Sequence, residues 1–237
     1  MSLGMFSIIP VPKNSWNDKY MPLVIPSMPV VGLLIGLLWY GAAVLLSKLS
    51  VPVLLQSAAI LFTPLVLTGF IHTDGFMDTA DAVLSRRDLE TKKKILKDPN
   101  AGAFAVISVI GIILFGFCAM QIIIETQKSP LIFIFIPVIS RCTAGVAMLN
   151  LKSVFDTGYN AMFKNGTKPS HTVFICLLAA STFLAARLTV LPLLTGALAG
   201  ILTAAYLYKQ FDGISGDLCG CIIVISEVFA LLSWGLL

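Results

Sequence analysis

Charged residues are scarce in this sequence of 237 residues. Only 12% of them are Asp, Glu, Lys or Arg, and 57% are apolar, whereas soluble domains average roughly 25% charged and 45–50% apolar residues. A soluble fold of this length has too small an interior to bury so much apolar surface. The composition therefore excludes an ordinary soluble domain. Apolar runs that approach or exceed the roughly 17 to 25 residues of a spanning helix indicate a helical membrane protein instead.

Three further features are missing. A removable signal peptide is not expected, because Pro10 and Pro12 interrupt the apolar start before the first basic residue, Lys13. The five cysteines lack the two-residue gap of a metal or redox pair, so we interpret them as small apolar residues. No tandem repeat divides the chain. We therefore expect a single integral membrane domain over residues 1–237.

Apolar runs separated by turn-forming residues predict an all-α, polytopic protein with about seven transmembrane helices. A cytoplasmic N-terminus puts twelve of the sixteen Lys and Arg residues in cytoplasmic segments and three on the opposite side, which satisfies the positive-inside rule. This bias explains the net charge of +4 without a nucleic-acid partner. We expect a multi-pass protein of the cell (inner) membrane. The predicted spans are 29–47, 52–70, 103–124, 130–150, 172–190, 192–208 and 219–236.

Two polar segments are the expected locations of a functional site. Residues 1–28 contain four prolines together with Trp16 and Tyr20, so we expect an irregular interfacial segment that covers the site. Residues 71–102 form the longest polar connection, and we expect them to carry the active site on the cytoplasmic side. Within them, helix-forming residues over 89–96 predict an interfacial helix that ends before Pro99.

Three aspartates, Asp74, Asp78 and Asp81, directly follow a predicted span. Spacings of four and seven residues place them within about 60° of one another on one face of a helix. Carboxylates held so close repel one another unless a cation neutralises them, and hard oxygen ligands favour Mg²⁺, with Mn²⁺ as a substitute. The alternative is a solvated helix start at which Asp74 is the N-cap.

Candidate polar partners flank the aspartates. Arg86, Arg87 and Lys97 could meet phosphate groups beside a bound cation. A basic run after a span is equally typical of contact with membrane lipid. His72 is a candidate base or ligand, because neutral imidazole is available near physiological pH, or simply a hydrogen-bonding residue at the interface.

A glycine-rich turn with Gly213, Gly216 and Asp217 precedes the last predicted span. Its glycines would allow a ligand to approach the backbone, and the following helix start offers free N–H groups to an anion. A plain turn between two spans is the alternative. Deeper in the last span, Glu227 either has a function or forms a structural ion pair with Arg141, which also lies within the membrane.

The most specific motif in the chain is the aspartate block Gly69-Phe-Ile-His72-Thr-Asp74-Gly75-Phe-Met-Asp78-Thr-Ala-Asp81, and Gly213-Ile-Ser-Gly216-Asp217-Leu-Cys-Gly220 follows late in the sequence. With these motifs the chain resembles the cobalamin synthases, the adenosylcobinamide-GDP ribazoletransferases. The similarity extends over nearly the whole chain, with departures at Ala82, where a glycine is expected, and at Pro99-Asn100.

The resemblance implies an enzyme that joins adenosylcobinamide-GDP to α-ribazole, or to its phosphate, and releases GMP. It implies Mg²⁺ held by Asp74, Asp78 and Asp81. Asp217 would complete the metal site or accept the proton of the nucleophile, and His72 is a second candidate for acid–base chemistry. Membrane lipid is an expected partner, and assembly into a homo-oligomer is compatible with the sequence.

Two other functions fit part of the pattern. A CDP-alcohol phosphotransferase-like enzyme also uses spaced aspartates on membrane helices, but the Ala-Arg pair of its signature does not follow Asp74-Gly75. A cation-coupled membrane transporter would explain Arg141 and Glu227 inside the membrane. Such a transporter, however, would place its site near the bilayer midplane, often between related halves of the chain.

Overall fold

The fold is known from a computed structural model, which describes residues 1–12, 16–49, 51–155, 163 and 166–237. This part of the chain is helical, and a single isolated β-bridge joins Ser153 to Ile214 within it. Short 3₁₀ turns cover Asp18–Leu23 and Arg187–Thr189. The α-helices are α1 (Ser2–Phe6), α2 (Met28–Ser47), α3 (Val53–Leu67), α4 (Ile71–Leu84), α5 (Leu89–Ile95), α6 (Ala103–Glu125), α7 (Ile132–Asn150), α8 (Pro169–Ala186), α9 (Val190–Phe211) and α10 (Gly216–Leu236).

Local sequence signals explain where several helices begin. Pro29 and Pro169 lie in the first turns of α2 and α8, where a backbone N–H has no partner within the helix. Helix α5 begins after Asp88, whose side chain accepts a hydrogen bond from the N–H of Thr91 at 3.0 Å. Ser215 caps α10 in the same way through its hydroxyl oxygen. The short helix predicted over 89–96 is therefore confirmed.

Six helices among the described residues, namely α2, α6, α7, α8, α9 and α10, are long and apolar enough to cross a membrane. The prediction of an all-α, multi-pass membrane protein is confirmed, and the bounds of these six spans differ from the predicted ones by at most four residues.

The seventh predicted span, over 52–70, ends earlier than expected. Helix α3 stops at Leu67, and α4 departs from it at 90°, so a seventh crossing exists only if this bent pair acts as one span. Gly69 and Phe70 form the bend, with φ angles of 60° and 61°. This left-handed conformation ends a helix because it directs the chain away from the helix axis.

Helices α7 and α10 form the buried centre of the bundle. Arg141 of α7 is only 1% exposed, and its Nη1 donates to Oε1 of Glu227 on α10 at 2.6 Å. The hydroxyl of Ser140 donates to the same carboxylate oxygen at 2.9 Å. The two charges within the membrane therefore pair with each other. In contrast, α6 and α8 expose large apolar side chains such as Ile107 and Leu177, as expected for surfaces that contact lipid.

The N-terminal segment over residues 1–28 is more ordered than predicted. Residues 13–15, including Lys13, lie outside the described residues, but α1 and the 3₁₀ turn are regular elements rather than irregular chain. The ring of Phe6 on α1 stacks on that of His72 on α4, with centroids 6.3 Å apart and an interplanar angle of 27°. The segment therefore lies over the first turn of α4.

Candidate active site

Helices α4 and α10 touch through their backbones at two glycines. A Cβ atom at Gly75 would lie 2.8 Å from both Cα and the carbonyl oxygen of Asp217. A Cβ atom at Gly220 would lie 2.9 Å from the carbonyl oxygen of His72. No side chain fits at such distances, so only glycine permits this approach. The contact brings the aspartates of α4 against the first turn of α10.

Helix α4 carries Asp74, Asp78 and Asp81 with the spacing that places them on one face. The half-buried Asp78 is close enough to Asp74, Asp217 and Asp81 for each of these negative charges to act on it. The charges of Asp74 and Asp217 also act on each other. Where α4 meets α10, three side chains therefore repel one another, namely those of Asp74, Asp78 and Asp217. We call them the carboxylate group.

Asp81 has other partners. Its Oδ2 accepts a hydrogen bond from the N–H of Gly102 at 2.8 Å, and its Oδ1 accepts one from the N–H of Ala105 at 3.3 Å. These N–H groups belong to the start of α6, where a helix leaves its first donors without partners of its own. Asp81 thus caps α6 and ties it to α4. The sequence did not predict this cap, although Gly102 directly precedes an apolar run.

Asp74 is not an N-cap, which excludes that part of the alternative interpretation. It lies in the first turn of α4, and the preceding cap position belongs to Phe70. The side chain of Asp74 is exposed to solvent. It is therefore available to a ligand that approaches the carboxylate group from outside.

The chemistry of the carboxylate group fits a hard divalent cation. Its members offer only oxygen ligands, and positive charge between them would relieve their repulsion. As the described side chains stand, no three His, Cys, Asp or Glu residues lie close enough to hold a metal ion together, so side-chain rotations would accompany binding. Asp217 fits a ligand role better than Asp81, because both oxygens of Asp81 already accept backbone N–H groups.

A cavity of about 480 Å³ borders the carboxylate group at Asp217. His72 lines it from α4, and Met5 and Phe6 of α1 line it from the N-terminal segment. His72 is 8% exposed, and its Nε2 has no hydrogen-bond partner among the described residues. The N-terminal segment therefore contributes to the wall of this cavity, and its role as a cover of the active site stays a prediction.

The predicted basic contacts lie in different surroundings. Arg86 and Arg87 are exposed directly after the end of α4. Lys97 is exposed too, and its ammonium group lies 3.9 Å from the centre of the Phe155 ring. This distance is typical of a cation–π contact. Arg86 and Arg87 are thus freely accessible to an anionic ligand, whereas Lys97 also contributes to packing.

The two predicted glycines of the turn before α10 have different roles. Gly213 is buried, and a Cβ atom there would lie 2.7 Å from the backbone of Ser153 and Val154. Its small size is explained by chain packing. Gly216, in contrast, is exposed, has open space where a Cβ would stand, and lines the cavity in the first turn of α10. Of the two, only Gly216 borders space that a substrate could fill.

Comparison with known proteins agrees with the resemblance. A family model described as cobalamin-5-phosphate synthase matches residues 1–235. A Clostridium perfringens protein named adenosylcobinamide-GDP ribazoletransferase is 38% identical, over 100% of this chain and 96% of its own. A protein of the same name from Clostridium botulinum is 36% identical over 98% of this chain and 94% of its own length. Another from Geobacillus kaustophilus is 30% identical over 100% of this chain and 93% of its own length. No solved structure matches the chain.

Proposed function

The chain belongs to the cobalamin-5-phosphate synthase family and is an enzyme of cobalamin synthesis. We propose that its residues perform the reaction for which its relatives are named, in the way described below. It acts as an adenosylcobinamide-GDP ribazoletransferase, whose substrates are adenosylcobinamide-GDP and α-ribazole or its phosphate. The observation that carries the mechanism is the convergence of Asp74, Asp78 and Asp217 at the contact of α4 with α10.

The reaction is a phosphoryl transfer. A ribose hydroxyl of the ribazole attacks the phosphorus that is bonded to cobinamide, and a new P–O bond forms. The bond from that phosphorus to the bridging oxygen of the diphosphate breaks, and GMP leaves with the electron pair. Such a transfer depends mainly on alignment of the reactants and on neutralisation of charge at the phosphate oxygens. The protein therefore has to position two substrates beside a centre of positive charge.

In our proposal, Asp74, Asp78 and Asp217 hold Mg²⁺, or Mn²⁺ in its place. The bound ion would supply Lewis acidity and a template for the diphosphate. Asp81 supports the site from behind, because its hydrogen bonds to Gly102 and Ala105 fix α4 against α6. This assignment differs from the sequence-based one by exchanging Asp81 for Asp217 among the ligands.

His72 is our candidate for the group that accepts the proton of the attacking hydroxyl. Its side chain lines the cavity beside Asp217, and its buried Nε2 lacks a hydrogen-bond partner among the described residues. A neutral imidazole nitrogen in that situation can accept a proton from a hydroxyl placed within hydrogen-bonding distance. Asp217 is the alternative acceptor if it does not bind the cation.

The diphosphate is expected to approach from the polar side of α4. Arg86 and Arg87 are exposed there and carry the charge that phosphate oxygens need, and Gly216 offers open space at the start of α10. We assign this side to the cytoplasm and the protein to the cell membrane. The uneven distribution of Lys and Arg between the predicted loops supports this orientation.

The test is direct. The protein, purified in detergent, receives adenosylcobinamide-GDP, α-ribazole and Mg²⁺, and GMP and adenosylcobalamin are quantified by liquid chromatography. We expect the two products to form in equal amounts, because one transfer yields one molecule of each. If folded protein releases no GMP under these conditions, the proposal is wrong.

A further inference from the structure

The cavity beside Asp217 is mostly apolar and is lined by parts of the chain that are distant in sequence. Its volume of about 480 Å³ lies within the range of roughly 300–1,000 Å³ that is typical of small-molecule sites. Phe6 and Trp16 line it from the N-terminal segment, and Met28 and Met148 line it from α2 and α7. No lysine or arginine is among the described residues that border it.

His72 is an unusual member of this apolar wall. Its side chain is 8% exposed, and Nε2 has neither a protein partner among the described residues nor contact with solvent. A buried polar atom that makes no hydrogen bond destabilises the fold, which is why such atoms usually have partners. His72 lines the cavity, and a ligand that reaches Nε2 would supply the missing hydrogen bond.

From these features we infer that the cavity is the binding site of the nucleoside substrate, and that it holds the aromatic base of α-ribazole. The inference rests on the proposed function. The flat base packs against Phe6 and the flexible methionine side chains, which favour contacts with aromatic rings. The attached ribose lies nearer to Asp217, and one polar atom of the nucleoside forms a hydrogen bond with Nε2 of His72.

The other substrate does not suit the cavity. A corrinoid is several times larger than a nucleoside and exceeds the available volume. The guanosine diphosphate part is strongly anionic, and the cavity offers it a carboxylate at Asp217 but no cationic side chain among the described residues. A neutral aromatic nucleoside meets neither obstacle. The corrinoid substrate accordingly stays outside, on the side of Arg86 and Arg87.

This arrangement places the two reactants on opposite sides of the carboxylate group. The nucleoside approaches from the cavity, and the diphosphate approaches from the exposed face of α4, where Asp74 is accessible. The attacking hydroxyl and the phosphorus can then meet at the shared edge formed by Asp78 and Asp217. An approach from opposite sides is also what an in-line displacement at phosphorus requires.

Equilibrium dialysis with radiolabelled α-ribazole, without adenosylcobinamide-GDP, tests the assignment. We expect α-ribazole to bind the wild-type protein saturably. Phe6→Ala should lower the affinity about tenfold or more, because the variant loses an aromatic contact surface. Ile8→Ala is the matched control, since Ile8 is 58% exposed and does not line the cavity. No saturable binding to the wild type, or equal binding by Phe6→Ala, would overturn the inference.

A kinetic readout separates this inference from the proposed function. In the complete reaction, Phe6→Ala and Met5→Ala should raise KM for α-ribazole about tenfold while KM for adenosylcobinamide-GDP stays unchanged. Both KM values rising together, or neither rising, would contradict a nucleoside site. If instead the wild type binds α-ribazole but releases no GMP, the cavity assignment stands and the proposed reaction fails.

Discussion

The carboxylate of Asp81 occupies the space that a side chain at Gly102 would need, since a Cβ atom at residue 102 would overlap both carboxylate oxygens. The same carboxylate accepts the N–H of Gly102 at 2.8 Å. The absence of a side chain at Gly102 therefore leaves room for the carboxylate of Asp81 where α4 contacts the start of α6. Asp81 thereby contributes to the stability of the helix bundle as well as to the charge of the site.

Asp81→Ala should lower the stability of the protein. The variant removes both hydrogen bonds to the start of α6, and the loss of a helix cap costs about 0.5 to 2 kcal/mol. Thermal unfolding in detergent, followed by tryptophan fluorescence, measures the change. Asp88→Ala removes the cap of the short helix α5 and shows the effect of losing a cap outside the site, with turnover close to that of the wild type. Unchanged unfolding of Asp81→Ala together with lost turnover would instead assign Asp81 to the cation ligands.

Gly75→Ala should impair the reaction through geometry alone. The added methyl group would collide with the backbone of Asp217, so α4 and α10 must separate and the carboxylate group opens. We expect a clear drop in GMP release at saturating substrates. Gly111→Ala is the control, because a Cβ atom there meets nothing within 4 Å. Equal loss of activity in both variants would indicate a general effect of alanine rather than a specific helix contact.

Asp78→Asn should abolish most turnover without unfolding the protein. The amide keeps the size of the side chain but removes the negative charge at the centre of the carboxylate group, and we expect GMP release to fall about a hundredfold or more. Asp98→Asn changes an exposed aspartate of the same polar segment and should remain active. Near-normal turnover of Asp78→Asn would remove Asp78 from the proposed cation site.

Chelation of divalent cations should stop the reaction reversibly. Treatment with EDTA is expected to eliminate GMP release, and added Mg²⁺ or Mn²⁺ is expected to restore it, because hard oxygen ligands bind both ions. Unfolding curves recorded before and after treatment check that the protein stays folded. Continued release of GMP in excess EDTA would show that the carboxylates act without a bound cation.

Glu227→Gln should destabilise the protein more than any change at its surface. It leaves the charge of Arg141 buried and unpaired, which typically costs about 3 to 5 kcal/mol. The double variant Arg141→Met with Glu227→Gln should recover much of this loss, because no isolated charge remains. Glu125→Gln, at the exposed end of α6, provides the control. If Glu227→Gln unfolds like the wild type, the ion pair contributes little to the fold.

Features that depend on neighbouring residues could be predicted from the sequence. Apolar runs gave the spans, and the spacing of Asp74, Asp78 and Asp81 gave their shared helix face, because both depend only on local periodicity. The bend between α3 and α4 could not be foreseen, since Phe70 adopts a left-handed conformation that is uncommon for an aromatic residue.

Contacts between distant segments were the harder part. The packing of Gly75 against Asp217 joins residues more than a hundred positions apart, and a helical glycine is equally common on an exposed face, as Gly111 shows. The cap formed by Asp81 on α6 likewise requires two helices to be placed in space. The resemblance to a known family implied the candidate site residues, but only the structure assigned Asp81 and Asp217 different surroundings.

The wall of the cavity beside Asp217 includes residues 5–6, 71–72, 216–217 and 219–220. During synthesis, the aspartates of α4 leave the ribosome long before Asp217. Until α10 packs beside α4, the carboxylate group lacks its third member, Asp217. A chain that ends before residue 216 would carry the aspartates of α4 without Asp217 and without part of the cavity wall. In our proposal, the site is therefore complete only after the last helix has packed against α4.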